Sequence, residues 1–326
     1  MAVEASSDGK TFIQALKAAE NLLENRIEEI NAINVFPVPD GDTGINMFLT
    51  LQSANAAADN LTTSSAAEIS AKVARGALLG ARGNSGVILS QILRGIARGL
   101  EMKDRFSPAD FAHALHCASE TAYRSVANPL EGTILTVMRE ASETAAQQVA
   151  RGVTLKQMIA SIAAQAEDTV RRTPELLPRL KEAGVVDAGG KGLFYIFLGM
   201  KHGITRKAER TVAVKETPPR QKTPASSGGY GFDVQFLIEG QDLPIEVIRQ
   251  KITGMGESVL VVGDNRIIRV HAHSPEPQAI LDYSASFGTL QDVNLENMDE
   301  QVKRLEQKKL IKGKRTPVSS PKAKPK

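Results

Sequence analysis

Tryptophan is absent from this sequence and tyrosine occurs only four times. So few aromatic rings leave little on which bases could stack, which argues against a single-stranded nucleic-acid binder. Cys117 is the only cysteine, so a disulfide framework and a cysteine-based zinc finger are both excluded. No apolar run approaches the length of a membrane span, and residues 1–10 lack the apolar core of a signal peptide. The expectation is a soluble, cytoplasmic protein. The Walker pattern G-x-x-x-x-G-K-[ST] is missing, and so are the H-R-D and D-F-G signatures of protein kinases.

Acidic residues are missing from one end. From Lys308 onward there are eight Lys/Arg and no Asp or Glu, although the whole chain carries a formal charge of only +3. The remainder is therefore net acidic. A Lys/Pro/Ser segment of this kind cannot bury a core, so residues 307–326 read as a disordered basic tail. The tail could touch nucleic acid or an anionic membrane, but a solubilising tail is the simpler reading. Nucleic acid is not an expected partner.

What is present is enough apolar residue, 42% of 326, for two cores. Residues 1–205 read as helix after helix. Phe12, Leu16, Ala19, Leu23, Ile27 and Ile30 follow helical spacing, a helix opens after Asp42-Thr43-Gly44, and another covers Ala66–Leu79. One starts near Ser85, and Ser107-Pro108 gives an N-cap followed by proline at the first helical position. Further helices fit 131–150, 154–172, 174–181 and 190–203. The fold expected is an all-α helical bundle or barrel of eight or nine helices, with sites at loops and helix ends on one face. Residues 206–228, rich in Pro, Ser and Gly, read as a flexible linker. Residues 229–306 then read as a small α+β domain of order βαββαβ, a ferredoxin-like split βαβ sandwich, with strands at 232–238, 258–262, 266–271 and 290–295.

Four segments of the helical part carry polar chemistry. In Asn34–Met47, Pro37 and Pro39 stiffen the loop, and Gly41 lets Asp40 and Asp42 turn toward one point. Two adjacent carboxylates repel unless a proton or cation intervenes, and a hard divalent ion such as Mg²⁺ accepts this ligand set. Thr43, Gly44 and Asn46 then open a helix whose N–H groups suit an anion. The plainer reading is an Asp-Gly turn with a helix cap. In Ala81-Arg82-Gly83-Asn84-Ser85-Gly86, again before a helix, Asn84 and Ser85 can donate to phosphate oxygens and Arg82 can add charge. Gly132 and Thr133 could cover a nucleotide or simply cap a helix. Asp187, beside Gly189-Gly190-Lys191-Gly192, could contact a nucleotide or act as an N-cap.

Together, NVFPVPDGDTGINM, GARGNSGVILSQ, EGTILTVMRE and GVVDAGGKGL resemble, in order and spacing, the kinase domain of bacterial fatty acid kinase A subunits. That domain is in turn similar to the L subunit of dihydroxyacetone kinase. The resemblance implies an α-helical barrel that binds ATP and Mg²⁺. Asp40 and Asp42 would be catalytic Mg²⁺ ligands, with Asn34 a third ligand. Thr43, Gly44, Asn46, Arg82, Asn84, Ser85, Gly132, Thr133 and Asp187 would contact the nucleotide. It further implies phosphorylation of a fatty acid carboxylate presented by a fatty-acid-binding partner protein. The alternatives are a glycerone-type kinase subunit for dihydroxyacetone or another small alcohol, and a non-catalytic nucleotide-binding regulatory subunit. The resemblance is compatible with a homodimer.

The second domain resembles the same family's middle domain through GYGFDVQFLIEG, GESVLVVGDNRIIRVHAH and GTLQDVNLENM. That domain is associated with zinc held by a Cys and an H-x-H pair. His271 and His273 match the pair, and as alternate residues of a strand they face one side. Gly231 is read at the position of the family's Cys. Two histidines alone make no structural zinc site, so either a carboxylate completes it or the pair lies on an exposed strand face. The family continues into a C-terminal domain, and here a separate chain is expected to supply it unless the acceptor differs.

Overall fold

The computed structural model describes residues 6–205, 229 and 231–304. The readings for the linker and the basic tail lie outside the described residues.

Ten helices make up the described part of the first domain: α1 (Gly9–Glu24), α2 (Ile27–Ala32), α3 (Thr43–Ala56), α4 (Ala66–Leu79), α5 (Gly83–Gly99), α6 (Pro108–Ser125), α7 (Ile134–Ala150), α8 (Leu155–Leu176), α9 (Pro178–Ala183) and α10 (Ala188–Thr205). The sequence places most of their starts. Asp8 caps α1 by accepting from the Thr11 N–H, Ser65 caps α4, and Ser107 and Asp110 form a reciprocal capping box at α6. The extra helix arises because the periodic run from residue 12 to 30 breaks at Asn25-Arg26 and restarts as α2. Two short strands, β1 (Ser7–Asp8) and β2 (Arg105–Phe106), pair antiparallel beside α1 and carry no sequence signal.

Pro174 does not open a helix as its position suggests; it lies inside α8, and the next helix opens at Pro178. A proline there leaves the Val170 carbonyl without its N–H partner. The Thr173 hydroxyl donates to that carbonyl at 2.7 Å, so the helix continues for a further turn.

In space the long helices run round a closed circuit, α1 against α10, then α8, α7, α6, α5 and α4, with α3 packed inside the turn from α4 back to α1. The interior is one apolar core from Phe12 to Met200. One tight seam is α5 on α6. A Cβ on Gly95 would fall 2.3 Å from the Ala118 Cα, so only glycine permits this approach. No described helix is long and apolar enough to cross a membrane.

The second domain contains β3 (Phe232–Glu239), α11 (Ile245–Thr253), β4 (Glu257–Gly263), β5 (Ile267–Ser274), α12 (Pro277–Ala285) and β6 (Thr289–Asn297). Its sheet has the order β4-β5-β3-β6, fully antiparallel, as a ferredoxin-like sandwich requires. Strand alternation divides its residues between two faces. Val234, Phe236, Ile238, Val261, Ile268, Val270 and Ala272 form the domain's own core with α11 and α12. The opposite face carries Asp233, Gln235, Leu260, Val262, Arg269, His271 and His273, and it rests on the helical domain. Leu260 and Val262 pack with Leu78, Ala81 and Val87. The buried Arg269 guanidinium donates to the Leu78 and Leu79 carbonyls at the end of α4. Arg94 of α5 donates to the Gly263 carbonyl at 2.6 Å.

Candidate active site between the two domains

The acidic loop is folded by its own amides. The Asn34 side-chain carbonyl accepts from the N–H groups of Asp42 and Thr43, and its amide donates to the Val38 carbonyl at 2.9 Å. Asn31 accepts from the Gly44 N–H at 2.7 Å. These contacts correct one expectation. The first N–H groups of α3 are not open to an anion, because Asn34 and Asn31 already satisfy them. Asn34, with both ends of its amide committed, organises the loop.

Asp40 and Asp42 emerge from this frame into a narrow polar cavity of about 20 Å³. Burial raises both carboxyls above their usual range, and for Asp40 the neighbouring Asp42 and then Asp233 raise it further. Two carboxylates this close at a partly buried site repel by about 4 kcal/mol. A proton or a cation must therefore accompany them. The Asn46 side chain hydrogen-bonds Asp42 and holds it down somewhat.

The second loop meets the same cavity. Gly83 starts α5 at φ +57, and a Cβ there would lie 2.4 Å from the Asn46 amide nitrogen, so glycine is required on both counts. No side chain caps α5 through Arg82, the residue before it. Asn84 and Ser85 follow immediately and line the polar cavity together with Asp40, Asp42, Thr43 and Asn46.

The far wall comes from the second domain. Asp233, His271 and His273 offer ligand atoms that all lie within 4.8 Å of one another, and they line the same polar cavity. His273 Nε2 sits 3.5 Å from the Asn84 amide nitrogen. His271 Nδ1 and Asp233 Oδ1 are 3.1 Å apart, yet both atoms, and His271 Nε2, lack a hydrogen bond of acceptable geometry. Buried polar atoms rarely stay unpaired, and three converging ones suit a cation. Burial, with His271 adding to it, draws the His273 imidazole down to about 4, so at neutral pH it is uncharged and carries a free lone pair. Burial lifts the Asp233 carboxyl, but the adjacent His271 outweighs that and leaves it below its usual range.

Pro37, Asn84 and Ser85 also border a larger cleft of about 230 Å³. Its walls are mainly apolar, with Phe36, Ile88, Leu130, Ile134 and Leu135 from the helical domain and Val259 and Leu260 from β4. Thr133 and Asp187 line it as well. Each of these two is also a helix cap. Thr133 accepts from the Leu135 N–H, and Asp187 accepts from the N–H groups of Gly190 and Ile134. Burial raises Asp187 to about 6, against the pull of those two N–H donors.

The other expected residues fall outside. Arg82 is exposed and borders neither cavity; its backbone N–H donates to the Thr50 hydroxyl and its carbonyl accepts from the Gly86 N–H. Gly44 and Gly132 border neither cavity; Gly132 makes its turn at φ +84. Gly231 does not stand at the third corner of the His pair. It turns the chain at φ +75 against the Ser274 carbonyl, and Asp233 holds the corner. Nor is the His pair on an exposed strand face, since His271 is 1% and His273 8% exposed. Asp233, Gln235 and the β4 wall are site residues not expected from the sequence. Alternation was the available signal, because Asp233 and Gln235 are the polar positions of an otherwise apolar strand that pairs with β5 in register with His273 and His271.

Comparison with known proteins follows the same two-part division. The DAK2 domain family matches residues 37–202, and the family of middle domains like that of the fatty acid kinase A subunit matches residues 229–305. Protein YloV of Bacillus subtilis is 35% identical over 309 residues, covering 90% of this chain and 56% of that protein. An uncharacterized protein of Staphylococcus saprophyticus is 34% identical over 320 residues, covering 94% and 58%. The chain thus spans a little over half the length of these relatives. Among solved structures, the dihydroxyacetone kinase from C. freundii in complex with AMP-PNP and Mg²⁺ aligns with a TM-score of 0.46 and 16% identity, over 58% of this chain and 33% of that one.

Proposed function

The chain belongs to the DAK2 domain family, and its second part to the middle-domain family of the fatty acid kinase A subunit; from that premise we propose that it is an ATP-dependent phosphotransferase acting on a fatty carboxylate held by a lipid-binding partner protein. One observation carries the reading: the half-buried Asp40–Asp42 pair and the start of α5 line one polar cavity, and Asn84 and Ser85 of that helix start also border an apolar cleft. The cleft suits a nucleobase, with its triphosphate directed past Asn84 and Ser85 toward the carboxylates.

Asp40 and Asp42 are the proposed Mg²⁺ ligands; two raised carboxyls converging on one polar cavity are the feature that fits a divalent cation. That ion supplies neutralising charge for the β- and γ-phosphates. Asn84 and Ser85 donate hydrogen bonds to γ-phosphate oxygens, where charge builds as the terminal P–O bond loosens. The attacking carboxylate oxygen forms a bond to the γ-phosphorus as the bond to ADP breaks, giving an acyl phosphate. A carboxylate is already ionised at neutral pH and requires no general base. The apolar walls of the cleft, completed by β4, exclude water that would otherwise compete as acceptor. Asp233, His271 and His273, which line the same polar cavity from the second domain, are proposed to hold a second cation or orient the acceptor.

A second reading rests on the His271–Asp233 contact. An alcohol acceptor, as in a glycerone-type kinase, needs a base, and a histidine oriented by a carboxylate can be one. Transfer of label from γ-³²P-ATP separates the two. Labelled acyl phosphate with fatty acid and a lipid-binding protein supports the first. Labelled triose phosphate supports the second. Nucleotide binding with no transfer to either class would indicate a regulatory role instead.

A further inference from the structure

Gln235 sits in the middle of β3, 9% exposed, on the face turned toward the helical domain. Its two amide ends reach in different directions. Oε1 accepts from the Gly83 N–H at 2.9 Å, and Nε2 donates to Asp233 Oδ2 at 2.6 Å. The orientation of the amide follows from its partners, because a flip would set oxygen against carboxylate and N–H against N–H. Among the described residues this side chain joins the first residue of α5 to the carboxylate of the Asp233–His271–His273 set. By occupying Oδ2 it leaves Oδ1 as the oxygen directed at His271, and Oδ1 is one of the unpartnered atoms.

We propose that Gln235 is a positioning residue through which the phosphate loop at Gly83-Asn84-Ser85 and the Asp233–His271–His273 cation site are thermodynamically coupled. The proposal rests on the nucleotide and cation reading given above. A triphosphate bound at Asn84 and Ser85 fixes the first turn of α5, and the Gly83 N–H then fixes the Gln235 amide. The amide in turn holds Asp233 in the rotamer that presents Oδ1. Linkage is reciprocal, so a cation bound at the three-residue set tightens nucleotide binding by the same factor. Partners that orient metal-ligating carboxylates typically contribute ten- to a hundredfold to metal affinity. A simple packing role would give no dependence of one site on the other.

The test is calorimetric titration of the full chain with Zn²⁺ in excess Mg²⁺, with and without saturating AMP-PNP. For the unmodified protein the expected result is one Zn²⁺ bound, with affinity raised about fivefold or more by the nucleotide. Gln235→Met keeps side-chain length but removes both hydrogen bonds. It should bind Zn²⁺ at least tenfold more weakly and show no nucleotide effect, while AMP-PNP alone still binds. If Gln235→Met does not fold, Gln235→Ala must show the same loss. Unchanged linkage in either folded variant would overturn the coupling and leave the cation reading standing. No Zn²⁺ uptake by the unmodified protein would overturn both.

Discussion

Asn34 and Asp187 show at the residue scale how a polar side chain in a functional loop can serve folding first. Asn34 stands beside the acidic pair, but its amide ties residues 38, 42 and 43 together. Asn34→Ala should therefore strand buried donors and lower stability by about 3 kcal/mol, measured by denaturant unfolding. Asp40→Asn removes a half-buried carboxyl that its neighbour Asp42 disfavours, without disturbing that frame. It should leave the unfolding midpoint at neutral pH equal or higher, while phosphoryl transfer falls at least a hundredfold in a γ-³²P-ATP assay. Asp187 gives a pH signature. Its carboxyl is raised to about 6 in the folded protein and lies near 3.9 unfolded. Between those values the folded state binds more protons, so its contribution to stability falls as pH rises from about 4 to about 6 and is level above. Compared with Asp187→Asn, the unmodified protein should lose about 3 kcal/mol of relative stability across that window in denaturant titrations.

At the scale of elements, helix starts were the most legible feature, because caps and prolines act locally. Ser65, Ser107 and Thr154 cap α4, α6 and α8 as side chains three residues before a backbone donor. Pro174 was misread since its effect depends on a neighbour, the Thr173 hydroxyl, that satisfies the stranded carbonyl. The Gly83-Asn84-Ser85 segment was legible as a glycine-flanked helix start. The occupied N–H groups of α3 were not, because Asn31 reaches Gly44 from the preceding helix. Gly83→Ala tests the α5 start. Forcing alanine to φ +57 costs about 2 kcal/mol, and its methyl must displace Asn46. Nucleotide affinity should drop at least tenfold by calorimetry, with a smaller fall in melting temperature than a core cavity would give.

At the scale of the whole molecule, the two domains make one site. The order of domains, the all-α character of the first and the βαββαβ order of the second could be read from periodicity and strand alternation. Their docking could not, since it depends on tertiary contacts such as Arg269 on the α4 carbonyls and Leu260 against Leu78. Burial draws the Arg269 guanidinium down to about 10, which still leaves it charged at neutral pH. Arg269→Met keeps its bulk and removes its donors. It should open the seam, seen as faster hydrogen exchange in β4 and β5, and weaken AMP-PNP binding because the cleft loses its β4 wall.

Nucleotide and cation are proposed to lie between the domains, held by α5 and the acidic loop on one side and facing Asp233, His271 and His273 on the other. A crystal of the protein with Mn²⁺ and AMP-PNP, read by anomalous scattering, would locate both. An anomalous peak is expected at Asp40 and Asp42, with the γ-phosphate beside Asn84 and Ser85 and the base between Ile134 and β4. Nucleotide bound outside this cleft, or manganese absent from both carboxylates, would contradict that placement.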